Sequence, residues 1–257
     1  RQRQMCIRDR AGISFSFVAG TSIGAVVGAL LAKGYSSEDM RRIVEGVNRR
    51  EFSKNLRPFA DLSFAERFLE NYLEGDFTTL RLPFAACATD GKDNRLVVLR
   101  KGKLARAVTA SSAIPPLFKA VELDGRELYD GAFTNAIPTD VCRALGAQFV
   151  IGIDLGAFAK PEEEKGRFSR LLGSALAYIQ PVRYMKDQRE RGYQNADYML
   201  RPPLGAFRST DISEAAMEEM YTLGYEEAKR CMEEIRGAIQ SFSKERSGKK
   251  PSKKNGG

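Results

Sequence analysis

Apolar and polar positions fall into short blocks along the chain. Phe15 to Ala19 is a brief apolar run with strand character, and residues 23–33 are almost wholly small or apolar. Within that second block Ala25, Val26, Ala29 and Leu30 share one helical face, and Gly34 is a good stop signal. Ser36 or Ser37 caps a further helix through Ile43 and Val44 to about Asn48. A short helix is predicted around Phe64–Leu73. Leu82–Thr89 and Arg95–Leu99 read as strands joined by the polar turn 90–94. A helix over Leu104–Ser111 ends before Ile114-Pro115-Pro116. Ala120–Leu123 and Glu127–Tyr129 flank Asp124-Gly125, a two-residue hairpin signal. Pro138 opens a helix to about Leu145. Phe149–Leu155 is a near-continuous apolar run, as in a buried parallel strand. A charged loop over 158–167, a helix from about Phe168 to Gln180 and a strand at Ala196–Leu200 follow. Met217, Met220, Tyr221, Gly224, Ala228, Cys231, Met232 and Ile235 then keep one face of a long C-terminal helix. Strands alternating with helices predict an α/β layered fold with a mostly parallel sheet.

Charge changes the picture less than its total implies. The 257 residues carry a formal charge of +8 and contain no histidine. Residues 1–10 hold a net +3 and residues 244–257 a net +5, so the body is neutral. A basic face for nucleic acid is therefore not expected. The tail could approach anionic lipid, but its Lys, Ser, Gly and Pro read first as a disordered, solubilising end. "RQRQMCIRDR" has neither an apolar period nor a cap and reads as a non-native segment, leaving 11–243 as the domain. Cys6, Cys87, Cys142 and Cys231 are too scattered for a disulfide frame or a zinc site and are expected as buried thiols in a reducing compartment. No metal or cofactor is expected. Asp90, Asp93 and Asn94 fit no calcium-loop spacing and read as a solvated turn. The apolar stretch Ala25–Ala32 is far short of the ~20 residues that span a bilayer. The expected location is cytoplasmic or peripheral to a membrane.

The candidate chemistry sits in "FVAGTSIGAVVGALLAKG", residues 17–34. A strand runs into Gly20-Thr21-Ser22-Ile23-Gly24, and a small-residue helix follows. That is the setting of a nucleophilic serine on a sharp turn, where glycines allow close backbone approach. Free N–H groups at the helix start favour negative charge, and the N–H of Ile23 is the natural oxyanion donor. The bland alternative for Ser22 is a helix cap. With no histidine, every Ser-His-Asp scheme is removed. Lysine is one substitute base, but the one credible S-x-x-K, Ser241 to Lys244, lies in the frayed end of the last helix. A carboxylate with a pKa raised by burial is the other. Asp130, at a turn beyond the hairpin, can supply it; the plain alternative there is an Asx-turn residue.

Several motifs occur in order: Gly-Thr-Ser-Ile-Gly-Ala at 20–25, Ala-Thr-Asp at 88–90, Ala-Ser-Ser-Ala-Ile-Pro at 110–115, and Asp130-Gly131-Ala132 followed by Asn135 and Pro138. As a set they resemble the bacterial patatin-like phospholipases over about Ala11 to Arg230. The resemblance implies a three-layer α/β/α fold with a mostly parallel central sheet. It implies a Ser-Asp dyad with Ser22 as nucleophile and Asp130 as base, acting on acyl esters of lipids or lysolipids without a cofactor. Two departures stand out. Asp-Gly-Ala replaces the usual Asp-Gly-Gly, and the family's first strand and Gly-rich oxyanion loop are not found upstream of the elbow. Competing readings are a non-catalytic lipid- or partner-binding member and an acyltransferase.

Overall fold

The computed structural model describes residues 13–47, 57–156, 182–207 and 213–248. Strand β1 (Val18–Thr21) leads into helix α1 (Ile23–Lys33), which Gly34 ends in the left-handed conformation at φ 105°, its N–H returning to the Leu30 and Leu31 carbonyls. Ser36 caps α2 (Ser37–Glu45) through a reciprocal pair: its hydroxyl accepts the Asp39 N–H, and the Asp39 carboxylate accepts the Ser36 N–H. After α3 (Ser63–Glu70) come β2 (Phe84–Asp90), β3 (Leu96–Leu99) and α4 (Leu104–Ala110). The hairpin β4 (Val121–Leu123) and β5 (Arg126–Asp130) turns at Asp124 and Gly125, with φ 51° and 72°. Both positive angles match the right-handed twist of the strands. Helix α5 (Thr139–Ala144), β6 (Ile151–Ile153), α6 (Val182–Gln194), β7 (Tyr198–Leu200), α7 (Glu214–Arg230) and α8 (Met232–Gly248) complete the order.

The α/β class follows from how β2 is covered. Its side chains alternate: Phe84, Ala86 and Ala88 join the core beneath α1 and α4, with Ala29, Leu30, Leu104 and Val108. Ala85 and Cys87 face the other way and pack with Val141 of α5. Helices therefore cover both faces, giving three layers. The five-stranded sheet is mixed: β1 runs parallel to β2, whereas β3 and β5 pair with β2 antiparallel, and β4 with β5; β6 and β7 form a separate parallel pair.

One detail of register positions the site. Cys87 and Ala88 both pair with β3, through Val98 and Val97, which takes up one edge of β2. A strand residue has two edges, so the other partners share the remaining one: Thr21 opposite Cys87, and Asp130 opposite Ala88. β1 and β5 thus run toward each other along one edge of β2, and their ends meet.

The C-terminal region departs from its pattern. The expected single helix is interrupted at Cys231, and of its apolar face only Cys231 and Ile235 are buried, against Leu200. α7 buries no residue, because it lies on the surface beside α2. α8 continues to Gly248, past the expected end at 243, since Lys244, Glu245 and Arg246 are good helix formers. Ser241 and Lys244 therefore lie within regular helix, not a frayed end. α6 was not evident in the pattern because its residues are mostly polar. Residues 1–10, the helix expected over 168–180 and residues 249–257 lie outside the described residues. Among the described residues no helix is long and apolar enough to cross a membrane. The 90–94 turn is closed locally, with Asp90 accepting the Lys92 N–H and Asp93 the Arg95 N–H.

Candidate active site

Ser22 stands between β1 and α1 with φ 55° and ψ −126°. That region is strained for a residue with a side chain, by about 1–3 kcal/mol, and persists only where the surroundings impose it. Here they do. A Cβ on Gly20 would lie 2.2 Å from the Gly24 carbonyl oxygen, so the strand end and the first turn of α1 touch through bare backbone. Gly24 differs: a Cβ there would meet nothing within 4 Å, so the second glycine of the motif is not required by contact. The Ser22 hydroxyl makes no capping bond, which removes the plain helix-cap reading. Ile23 and Gly24 open α1, and N–H groups of a first turn have no partner within the helix. Ile23 leaves its side chain 54% exposed beside the turn.

Asp130 is buried at the end of β5. Its Oδ1 accepts the Ala132 N–H at 2.8 Å, so the Asx-turn reading is correct for one oxygen. Oδ2 is buried and has no partner of ordinary hydrogen-bond geometry. Burial pushes the Asp130 carboxyl up to about 6, opposed only by neutral donors, the adjacent Ser22 hydroxyl and the Ala132 N–H. Ser22 follows Thr21, whose strand end meets that of Asp130 on one edge of β2, so the two residues are neighbours, although no regular bond closes between their side chains. A carboxyl with this pKa can take a proton from a hydroxyl near neutral pH and return it later.

Gly131 is needed for the ends of β1 and β5 to meet. A Cβ on it would lie 2.1 Å from the Cys87 carbonyl oxygen and 3.0 Å from the Thr21 methyl. Asn135 is fully buried and ties three elements together. Its N–H donates to the Gly131 carbonyl at 2.7 Å, its carbonyl accepts the Thr21 hydroxyl at 2.7 Å, and its amide donates to Asp140 at 2.7 Å. Pro138 immediately precedes α5 and occupies its cap.

The comparison with known families bears on the chain as a whole. Residues 3–143 match the sequence model described as patatin-like phospholipase. The chain belongs to the patatin-like phospholipase family. It is 27% identical over 263 residues to patatin-like phospholipase domain-containing protein 6 of Homo sapiens, covering 86% of this chain and 18% of that one. It is 28% identical over 257 residues to patatin-like phospholipase domain-containing protein 7 of Rattus norvegicus, covering 84% and 18%. An uncharacterized NTE family protein of Mycobacterium bovis is 30% identical over 166 residues, covering 62% of this chain and 46% of that one. The chain thus spans less than a fifth of the two mammalian relatives.

In this patatin-like chain the remaining motif residues are supports. Thr89 of the Ala-Thr-Asp motif donates to the Asp130 carbonyl at 2.8 Å and lies 2.9 Å from the Thr134 hydroxyl. Ser111 of the Ala-Ser-Ser-Ala-Ile-Pro motif accepts the Ser22 N–H at 3.0 Å. Neither role was readable from the sequence, although both motifs were visible. The signal was a small hydroxyl residue inside an otherwise apolar strand or helix end, where it must find a partner once buried. Burial pushes Cys87 up to about 12 and raises Cys142, which is half-buried and not enclosed as expected. Cys231 is buried, and Cys6 lies outside the described residues.

Proposed function

We propose that this patatin-like chain hydrolyses carboxylic acyl esters of lipids, such as phospholipids and lysophospholipids, through a dyad of Ser22 and Asp130. One observation carries the reading: a strained serine at a helix start abuts a buried carboxyl that keeps one oxygen free. Asp130 Oδ2 accepts the hydroxyl proton as Ser22 Oγ attacks the ester carbonyl. The oxyanion is stabilised by the Ile23 N–H and the positive end of α1. The proton passes from Asp130 to the leaving alcohol oxygen, and an acyl-serine remains. Water attacks that ester with Asp130 again as base, the proton returns from Asp130 to the departing Ser22 Oγ, and the fatty acid is released. The scheme requires no metal or cofactor. Ile23 and Val27, four residues apart on α1 and 54% and 46% exposed, suit peripheral contact with a lipid surface in the cytoplasm. The bacterial reading rests on the motif set alone; the relatives the chain matches include mammalian as well as mycobacterial proteins.

The test is intact mass after treatment with a fluorophosphonate, with Ser22→Ala as control, followed by release of fatty acid from lysophosphatidylcholine. A single adduct missing from Ser22→Ala, with hydrolysis lost in Asp130→Asn, is the expected result. An adduct that persists in Ser22→Ala would overturn the nucleophile, and hydrolysis that persists in Asp130→Asn would overturn the base. Transfer of the acyl group to glycerol instead of water would move the chain to the acyltransferases.

A further inference from the structure

The segment 111–113, just after α4, touches both halves of the site. Ser111 is fully buried. Its hydroxyl donates to the Cys87 carbonyl at 2.5 Å and accepts the Ser22 N–H at 3.0 Å. A hydroxyl has one proton, so the bond to Cys87 leaves only a lone pair facing Ser22. The Ser111 carbonyl accepts the Gly131 N–H at 3.3 Å, and the Ala113 carbonyl accepts the Asp130 N–H at 2.9 Å. Ser111 and Ala113 therefore hold the backbone on each side of the gap between Ser22 and Asp130. The strands themselves cannot do this, because β1 and β5 meet end to end and share no ladder bond.

We propose that Ser111 is a positioning residue whose hydroxyl anchors the Ser22 N–H, holds the elbow in its strained conformation and sets the spacing between nucleophile and base. The inference rests on the reading of Ser22 and Asp130 given above. It has a corollary for that scheme: the Ser22 N–H is committed to Ser111, so the oxyanion must rely on Ile23. Without the Ser111 hydroxyl, the Ser22 N–H and the Cys87 carbonyl both lose their partner, and the elbow relaxes away from Asp130. A misplacement of about 1 Å can cost on the order of 10²-fold in rate.

The experiment compares wild type, Ser22→Ala, Ser111→Ala, Ser111→Cys and Ser111→Thr. The readouts are the second-order rate of fluorophosphonate labelling across pH and the thermal unfolding midpoint. Ser111→Ala is expected to label roughly 10- to 100-fold more slowly. Its acid limb should also move to higher pH, because the Ser22 hydroxyl no longer holds the Asp130 carboxyl down. Ser111→Thr, which keeps the hydroxyl, should recover most of the rate. Ser111→Cys keeps the volume but weakens both bonds, and takes the place of the alanine variant should that one not fold. Labelling at the wild-type rate in folded Ser111→Ala or Ser111→Cys overturns the proposal. An unmoved acid limb, with rates that track the midpoint alone and no rescue by threonine, also overturns it by showing a purely structural role. If wild type does not label, or Ser22→Ala does, the dyad fails first and the positioning role falls with it.

Discussion

The elbow region and helix α7 hold their residues in opposite ways. Around Ser22 the backbone is fixed by the Ser111 and Thr89 hydroxyls, by the Ala113 and Asn135 carbonyls, and by two glycines that admit no side chain. α7 buries no residue over its 17 positions. It is tied to α2 by Arg41, which pairs with Glu218 at 2.9 Å and lies 5.2 Å from the Tyr221 ring. Tyr221 and Tyr225 stack at 6.5 Å on the same exposed side. Buried polar bonds are directional and costly to leave unmade, so they can impose a strained angle. Exposed ion pairs are screened and flexible, so they impose little. Precision in this molecule should therefore be confined to the end-to-end meeting of β1 and β5.

The sharpest way to break that contrast is at Gly131. Gly131→Ala sets a Cβ against a backbone carbonyl that cannot move aside. It should destabilise the fold by about 3 kcal/mol or more, at the upper end for overpacking, as read by denaturant unfolding. A variant with wild-type stability would show that the two strand ends are loosely joined.

Asp130→Asn should divide activity from stability. With Asp130 as the proposed base, hydrolysis is expected to fall by about 10²–10⁴-fold. Stability should move the other way, and the sign follows from the raised pKa. The Asp130 carboxyl titrates near 6 in the folded chain against 3.8 for its ordinary value. Below about pH 4 it is protonated in both states and contributes nothing. Between the two values the folded state keeps a proton that the unfolded state releases, so stability falls as pH rises. Above pH 6 the full penalty applies, about 3 kcal/mol. The asparagine variant should thus be more stable than wild type at pH 8 and lose that advantage by pH 4. Unfolding at the two pH values tests this, and an advantage independent of pH would sink the assignment. Wild-type activity should fall as pH drops through 6 for the same reason.

Smaller effects are expected in α7. A Cβ on Gly224 would meet nothing within 4 Å, so Gly224→Ala should stabilise the chain by about 1 kcal/mol through helix propensity alone. The same substitution chemistry thus has opposite signs at Gly131 and Gly224. The weakest expected change is Arg41→Ala, which should leave the unfolding midpoint within about 2 °C and hydrolysis unaltered. A larger loss would mean that α7 supports the core after all.

Much of the fold was legible because local signals agree with their surroundings. The Gly34 stop, the Ser36 cap, the Asp124-Gly125 hairpin and the strand at β2 all fall within a few residues of expectation. α6 was not legible, because a polar helix lacks an apolar period. The division of the C-terminal helix at Cys231 was not legible either, since the period of its apolar residues runs straight through that point. Gly24 shows the reverse error: it belongs to the motif by spacing, but no neighbour demands it.

The sequence by itself determined the chemistry available. With no histidine, a serine at a strand–helix turn and an aspartate after a hairpin, it restricted the base to a carboxylate or a lysine. It could not determine that Asp130 keeps a free oxygen, that its pKa rises toward neutrality, or that Ser111 holds the Ser22 N–H. Those depend on which residues of β1 and β5 fall opposite Cys87 and Ala88 on one edge of β2. Register is a long-range property, fixed by packing on both faces of the sheet. Burial, the main cause of the Asp130 shift, likewise exists only once the layers have closed over it.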